Sequence, residues 1–151
     1  MCAAACPAGA ISIRDRAVHI DGARCRECFT CIGVCPQEAR KGYGQLMTVS
    51  QAVAEISKDE IFFFHFGGGV TISGGECLLQ PDFSAGVLRG CRQRGIDTAV
   101  ETSLYARWSQ IKKIVPFVNV FYVDLKHPDS WKHRELTGVD NNLILANLKK
   151  L

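Results

Sequence analysis

The stretch VTISGGECLLQPDFSAGVLRGCRQRGIDTAVET, residues 70–102, decides the fold. It opens on a short apolar run, Val70-Thr-Ile-Ser73, closed by Gly74-Gly75, which reads as a strand followed by a turn. After Pro81-Asp82 the apolar residues Phe83, Val87, Leu88 and Cys91 recur on one face of a helix that Gly95 can terminate. Ile96 to Glu101 reads as a second strand. Strand, helix and strand joined by short turns predict a parallel pair with a right-handed crossover.

The pattern continues on both sides. Downstream, Tyr105, Trp108, Ile111 and Val115 predict a helix stopped by Pro116. Val118 to Asp124 predicts a third strand, apolar enough along its length to expect cover on both faces. Asp140 is placed to cap a last helix in which Ile144, Leu148 and Leu151 should face inward. Upstream, Thr48-Val-Ser-Gln51 fits a capping box before the helical spacing of Val49, Val53 and Ile56. The expected fold class is α/β with a parallel sheet. Parallel strands share one carboxyl rim, so Gly74-Gly75-Glu76, Glu101-Thr102-Ser103 and Asp124-Leu125-Lys126 should meet on one edge, where such sheets place their sites. Each charge alone reads equally well as a solvated strand end.

Residues 1–45 have a different character from residues 46–151, which gives two expected domains. Ile11-Ser-Ile13 and Val18-His-Ile20 alternate about Asp15-Arg16 and predict a β-hairpin. It is flanked by a repeat, Cys2-Ala-Ala-Ala-Cys6-Pro7 and Cys31-Ile-Gly-Val-Cys35-Pro36, at an offset of 29 residues.

The whole chain has 151 residues, 47% hydrophobic and 22% charged, which excludes general disorder. A formal net charge of +3 makes no electrostatic case for nucleic acid or for an anionic membrane. No apolar run reaches the roughly 18 residues of a membrane-spanning helix. The opening residues lack the charged and apolar regions of a signal peptide, so the expectation is a cytoplasmic protein with reduced thiols. Eight cysteines are present, six of them between Cys2 and Cys35. Their crowding at spacings of two and three points to metal binding rather than to disulfides.

Cys25-x2-Cys28-x2-Cys31-x3-Cys35-Pro36 is the bacterial ferredoxin run. Soft thiolates suit iron–sulfur clusters, and the fourth cysteine of such a run serves the neighbouring cluster. Zinc is the alternative, but its sites use two Cys-x2-Cys pairs further apart. By the crossed-ligand rule, Cys6, Cys25, Cys28 and Cys31 complete one 4Fe-4S site, while Cys2 and Cys35 supply two ligands of a second. The remaining two ligands would precede Met1, so the chain reads as beginning inside its first motif. Cys91 belongs to the apolar stripe of its helix, and Cys77 reads as a packed or half-exposed thiol.

Three stretches together resemble a known family: Gly67-Gly-Gly-Val-Thr-Ile-Ser-Gly-Gly-Glu-Cys-Leu-Leu-Gln-Pro81, Asp124-Leu-Lys126, and His133-Arg-Glu-Leu-Thr-Gly-Val-Asp-Asn-Asn-Leu-Ile-Leu145. The chain resembles the radical SAM activating enzymes of glycyl radical enzymes. It is similar to the subgroup, like pyruvate formate-lyase activating enzyme, that carries a two-cluster ferredoxin-like insert. The resemblance implies part of a partial (β/α) barrel behind an iron–sulfur segment. It implies an oxidoreductase that takes one electron from a flavodoxin or ferredoxin and cleaves S-adenosylmethionine reductively. The resulting 5′-deoxyadenosyl radical would abstract hydrogen from a glycine of a partner glycyl radical enzyme. Gly74, Gly75 and Glu76 would hold the amino group of S-adenosylmethionine, and Asp124 and Lys126 would organise its site. Glu101 and Thr102 match a position that contributes in some members to a monovalent-cation site.

The chain departs from that pattern in four places. The defining Cys-x3-Cys-x2-Cys is absent from these 151 residues, so this chain alone is expected to be inactive and to be an internal fragment. The family also continues beyond residue 151. Cys77 stands where proline is common, and Leu104 where glycine is often found. No catalytic residue is assigned. A Rossmann loop from Gly67 is excluded because position 72 is Ile, and no Walker lysine occurs. His133 reads as an ordinary surface or turn histidine rather than a general base. The competing reading of the whole is a stand-alone iron–sulfur electron-transfer or binding module without radical chemistry.

Overall fold

A parallel three-stranded sheet and an antiparallel hairpin organise the two compact units into which the chain folds, Met1–Leu46 and Met47–Leu151. The structure is a computed structural model describing residues 1–42 and 44–151.

In the first unit, helix α1 (Cys2–Ala5) precedes strands β1 (Ile11–Arg14) and β2 (Ala17–Ile20), and a short helix α2 (Thr30–Gly33) follows. The hairpin forms where alternation predicted it. Its turn residues Asp15 and Arg16 take φ of 50° and 62°, the left-handed pair that a two-residue turn matching the strand twist requires. Among the described residues of this unit only Ala10 is a buried hydrophobic. Something other than an apolar core must therefore hold it.

The second unit begins with α3 (Val49–Ile56), opened by the expected capping box. Then follow α4 (Glu60–Phe66), β3 (Gly69–Ile72), α5 (Pro81–Gln93), β4 (Asp97–Thr102), α6 (Trp108–Ile114), β5 (Val120–Val123), α7 (Ser130–Thr137) and α8 (Asn142–Leu148). The sheet order is β3-β4-β5, parallel throughout, with Ile72 opposite Val100 and Thr102 opposite Val123. Leu78, Leu88, Val100, Leu104, Ile111, Ile114 and Ile144 form one buried cluster, and Val53, Val87, Cys91 and Ile96 a second.

Several expectations are corrected. The third strand is covered on one face only, since Val120 is 45% exposed and Tyr122 56%. Tyr105 lies before its helix and is exposed, because the chain turns sharply at Leu104. Leu148 and Leu151 are exposed because α8 ends at Leu148, and Asn147 faces inward in their place. Asp140 does accept from the Asn142 N–H, but the N-cap residue is Asn141.

Candidate functional site

The strand order brings the three rim motifs together. Gly74, Gly75 and Glu76 follow β3, Glu101 and Thr102 end β4, and Asp124 and Lys126 follow β5. All seven line one cavity of about 460 Å³. Gly74 holds φ at +116°, a backbone conformation that side-chain-bearing residues rarely adopt. A Cβ at Gly75 would meet nothing within 4 Å. Asp124 and Lys126 are hydrogen-bonded to each other, each about half exposed.

Glu76 is the most heavily bonded group of the rim. Its Oε1 accepts from the Thr102 hydroxyl at 2.7 Å and from the Leu78 N–H at 3.1 Å. Its Oε2 accepts from the Ser103 hydroxyl at 2.8 Å and from the Ser103 N–H at 3.0 Å. Burial alone would raise this carboxyl, but the bonds from Thr102, Leu78 and Ser103 outweigh it and hold the group below its ordinary value. The neighbouring Cys77 thiol is buried, 3.6 Å from Glu76 Oε1, and is pushed up to about 11 by desolvation and then by the Glu76 charge. It is a packed thiol, not an exposed nucleophile.

The sequence alone places Ser103 on the rim without a partner, marks His133 as a surface or turn residue, and does not single out Asn147. His133 is buried, not a surface residue. Its Nδ1 lies 2.8 Å from the Val139 carbonyl, which can only accept, so Nδ1 carries the proton. The ring lines the same cavity. Asn147 Nδ2 donates to the carbonyls of Leu104 and Ala106 at 3.0 and 2.8 Å, fixing the turn that follows Ser103. No simple spacing signals these residues, because each is tied to a partner through the folded chain.

That turn explains the family departure at position 104. Leu104 has φ of 57°, in the left-handed region where glycine is at ease, yet its side chain is fully buried. Glycine there would relieve about 1–2 kcal/mol of backbone strain. Deleting a buried leucine side chain costs about 2–5 kcal/mol. Leu104→Gly is therefore expected to destabilise by about 2 kcal/mol in denaturant titration, and a gain in stability would show the side chain to be dispensable.

In the first unit, Cys6, Cys25, Cys28 and Cys31 line a cavity of about 360 Å³, and Cys2 and Cys35 do not. Glu27 and Phe29, between the cysteines of the run, take φ of 49° and 57°, so the loop winds in tight turns. The Cys6 sulfur accepts from the Ala10 N–H at 3.3 Å. The Thr30 side chain, and after it the Thr30 backbone, lower the Cys28 thiol from its ordinary value. Among the described residues no three His, Cys, Asp or Glu side chains converge as a single metal ion would need. A cluster is a body rather than a point. Four thiols around a cavity, in a unit without an apolar core of its own, are a donor set that fits it.

No protein-family profile matches the chain. It is 42% identical over 152 residues to an isethionate sulfite-lyase activating enzyme from Nitratidesulfovibrio vulgaris, covering 99% of this chain and 50% of that protein. It is 42% identical over 150 residues to a choline trimethylamine-lyase activating enzyme from Oleidesulfovibrio alaskensis, covering 97% and 48%. An indoleacetate decarboxylase activating enzyme from Tractidigestivibacter scatoligenes is 37% identical over 158 residues, covering 98% and 50%. The crystal structure of a domain of pyruvate-formate lyase-activating enzyme from Bacteroides vulgatus superposes with a TM-score of 0.51 at 42% identity. That match covers 56% of this chain and 52% of the other. The chain thus spans about half the length of the curated relatives it matches.

Proposed function

The chain belongs to the activating enzymes of glycyl radical enzymes, and from that premise we propose that it forms the S-adenosylmethionine-binding part of such an enzyme. The observation that carries the reading is the convergence of Gly74, Gly75, Glu76, Glu101, Thr102, Asp124 and Lys126 on one cavity at the carboxyl ends of parallel strands. The three-stranded sheet is then a sector of a larger partial (β/α) barrel of the radical SAM type. When bound and reduced, S-adenosylmethionine supplies the radical chemistry.

The chain's own residues bind and orient. The Gly74-Gly75 turn lets backbone approach the ligand closely. Glu101 and Asp124 set a negative potential toward its cationic groups, and Lys126, held by Asp124, offers a cation to a carboxylate. In the first unit, Cys6, Cys25, Cys28 and Cys31 hold one 4Fe-4S cluster, and Cys2 and Cys35 contribute to a second. The partners are a glycyl radical enzyme as protein substrate and a flavodoxin or ferredoxin as electron donor. No helix among the described residues is long and apolar enough to cross a membrane.

Calorimetric titration of the full chain with S-adenosylmethionine tests the cavity. Because a side chain at Gly75 enters open space, Gly75→Val should change stability by no more than about 0.5 kcal/mol. It should nevertheless weaken binding more than about tenfold by filling the site. Equal binding by Gly75→Val, or no binding by the unmodified chain, overturns the assignment.

A further inference from the structure

An ionised carboxylate has about four lone-pair positions. At Glu76 four N–H and O–H donors from the chain itself occupy them, the Thr102 hydroxyl and Leu78 N–H on Oε1 and the Ser103 hydroxyl and N–H on Oε2, with the Cys77 thiol a weak fifth donor to Oε1 at 3.6 Å. Thr102 ends strand β4 and Ser103 follows it, whereas Glu76 belongs to the turn after β3, 26 residues before Thr102. The carboxylate is thus a tie across two strand ends. The far side of the tie is itself held, since Asn147 fixes the carbonyls of Leu104 and Ala106 and the Thr102 hydroxyl accepts from the Leu104 N–H at 3.0 Å.

We propose that Glu76 is a positioning residue, clamped by the Thr102 and Ser103 hydroxyls, which shapes the Gly74-Gly75 turn and does not itself receive a ligand's ammonium group. Thr102 and Ser103 then act on the site through Glu76. An ammonium reaching Glu76 would have to displace one of four charge-assisted bonds, whereas Glu101, on the same cavity, has no hydrogen bond or ion pair to its carboxylate among the described residues. The consequence for ligand binding rests on the cofactor reading above; the clamp itself does not.

The clamp predicts a pH signature. Glu76 is held below its ordinary value, so the tie is intact at and above the usual glutamate range and is lost as pH falls through the lowered value. Glu101, Asp124, Lys126 and His133 face the same cavity and Cys77 lies beside Glu76, so the readout must be specific to one residue. Carboxyl carbon NMR of the full chain, without ligand, provides it. Glu76 should titrate below the ordinary glutamate value. Ser103→Ala and Thr102→Val should each move it upward, and Ser103→Thr and Thr102→Ser, which keep the hydroxyl, should restore it. An ordinary titration of Glu76 in the unmodified chain overturns the clamp even if a variant fails to fold, as does indifference to Ser103→Ala.

The ligand arm compares S-adenosylmethionine with its deaminated analogue. If Glu76 only positions the turn, Glu76→Gln weakens both by the same factor, about ten- to a hundredfold for lost bonds to a charged group. Selective weakening of the amino-bearing ligand alone overturns the proposal. Should the unmodified chain bind neither compound, the cofactor reading fails while the carboxyl titration still decides the clamp.

Discussion

Cys28→Ser is expected to remove the iron–sulfur cluster proposed for the first unit and with it most of that unit's fold. Anaerobic reconstitution of the unmodified chain should give a 4Fe-4S absorbance that the variant lacks, with iron retention lower by more than about tenfold. Loss of mere outer partners of metal ligands already costs that much, and serine replaces a soft thiolate by a hard oxygen donor. The effect on folding follows from burial. Only Ala10 of this unit is a buried hydrophobic among the described residues, and its cysteines are free rather than paired in disulfides. Units this small need a metal or cross-link to stay folded. The amide spectrum of residues 1–46 should therefore collapse in Cys28→Ser while that of residues 47–151 is unchanged. Cys35→Ser, outside the cavity, should retain the cluster. Equal iron in Cys28→Ser would sink the ligand assignment, and zinc without iron would establish the zinc alternative.

What could be read from the residues was what local chemistry encodes. The Thr48-Gln51 box, the Asp15-Arg16 turn and the α5 stripe of Val87, Leu88 and Cys91 are each specified within a few residues, and each forms as expected. The convergence of three rim motifs needed only the strand order, because parallel strands deliver their carboxyl ends to one edge. What stayed hidden depends on distant partners. Helix α4 is an apolar run, Ile61 to Phe64, followed by His65 and Phe66, without helical alternation, and of these only Phe63 packs against the second buried cluster. Helix α7 is mostly polar, and its capping by the Asp129 side chain on the Lys132 N–H is its main local signal. The exposure of Val120 and Tyr122 was illegible for another reason. Their apolar character is that of a covered strand, and nothing in the composition of a strand says how many layers pack upon it. Ser103 was legible as part of a rim motif, but its bonds to Glu76 show only in the fold.

Two adjacent glycines make the sharpest test of the sheet that carries the rim. Gly69 opens β3 opposite Asp97 of β4, and a Cβ there would lie 2.0 Å from the Asp97 carbonyl oxygen. That is far inside van der Waals contact and against backbone, which cannot swing away as a side chain can. Gly69→Ala would gain about 0.4–1 kcal/mol from a less flexible unfolded chain. Against this stands overpacking of about 1–3 kcal/mol or more, together with about 0.5–1.5 kcal/mol for each ladder bond that is pulled apart. The balance is a loss of about 3 kcal/mol in denaturant titration. Gly68 has the same gain and no such penalty, since its Cβ would meet only Phe63 Cδ1 at 3.8 Å, so Gly68→Ala should be neutral or stabilising by about 0.5 kcal/mol. The two variants differ by one position and should differ in sign. Because β3 leads directly into Gly74, Gly75 and Glu76, the displacement in Gly69→Ala should also lengthen the bonds between Glu76 and Ser103, which the Glu76 carboxyl resonance would register as an upward shift of its titration. Equal stability of the two variants would mean that β3 and β4 do not approach as closely at this register as the pairing of Gly69 with Asp97 requires.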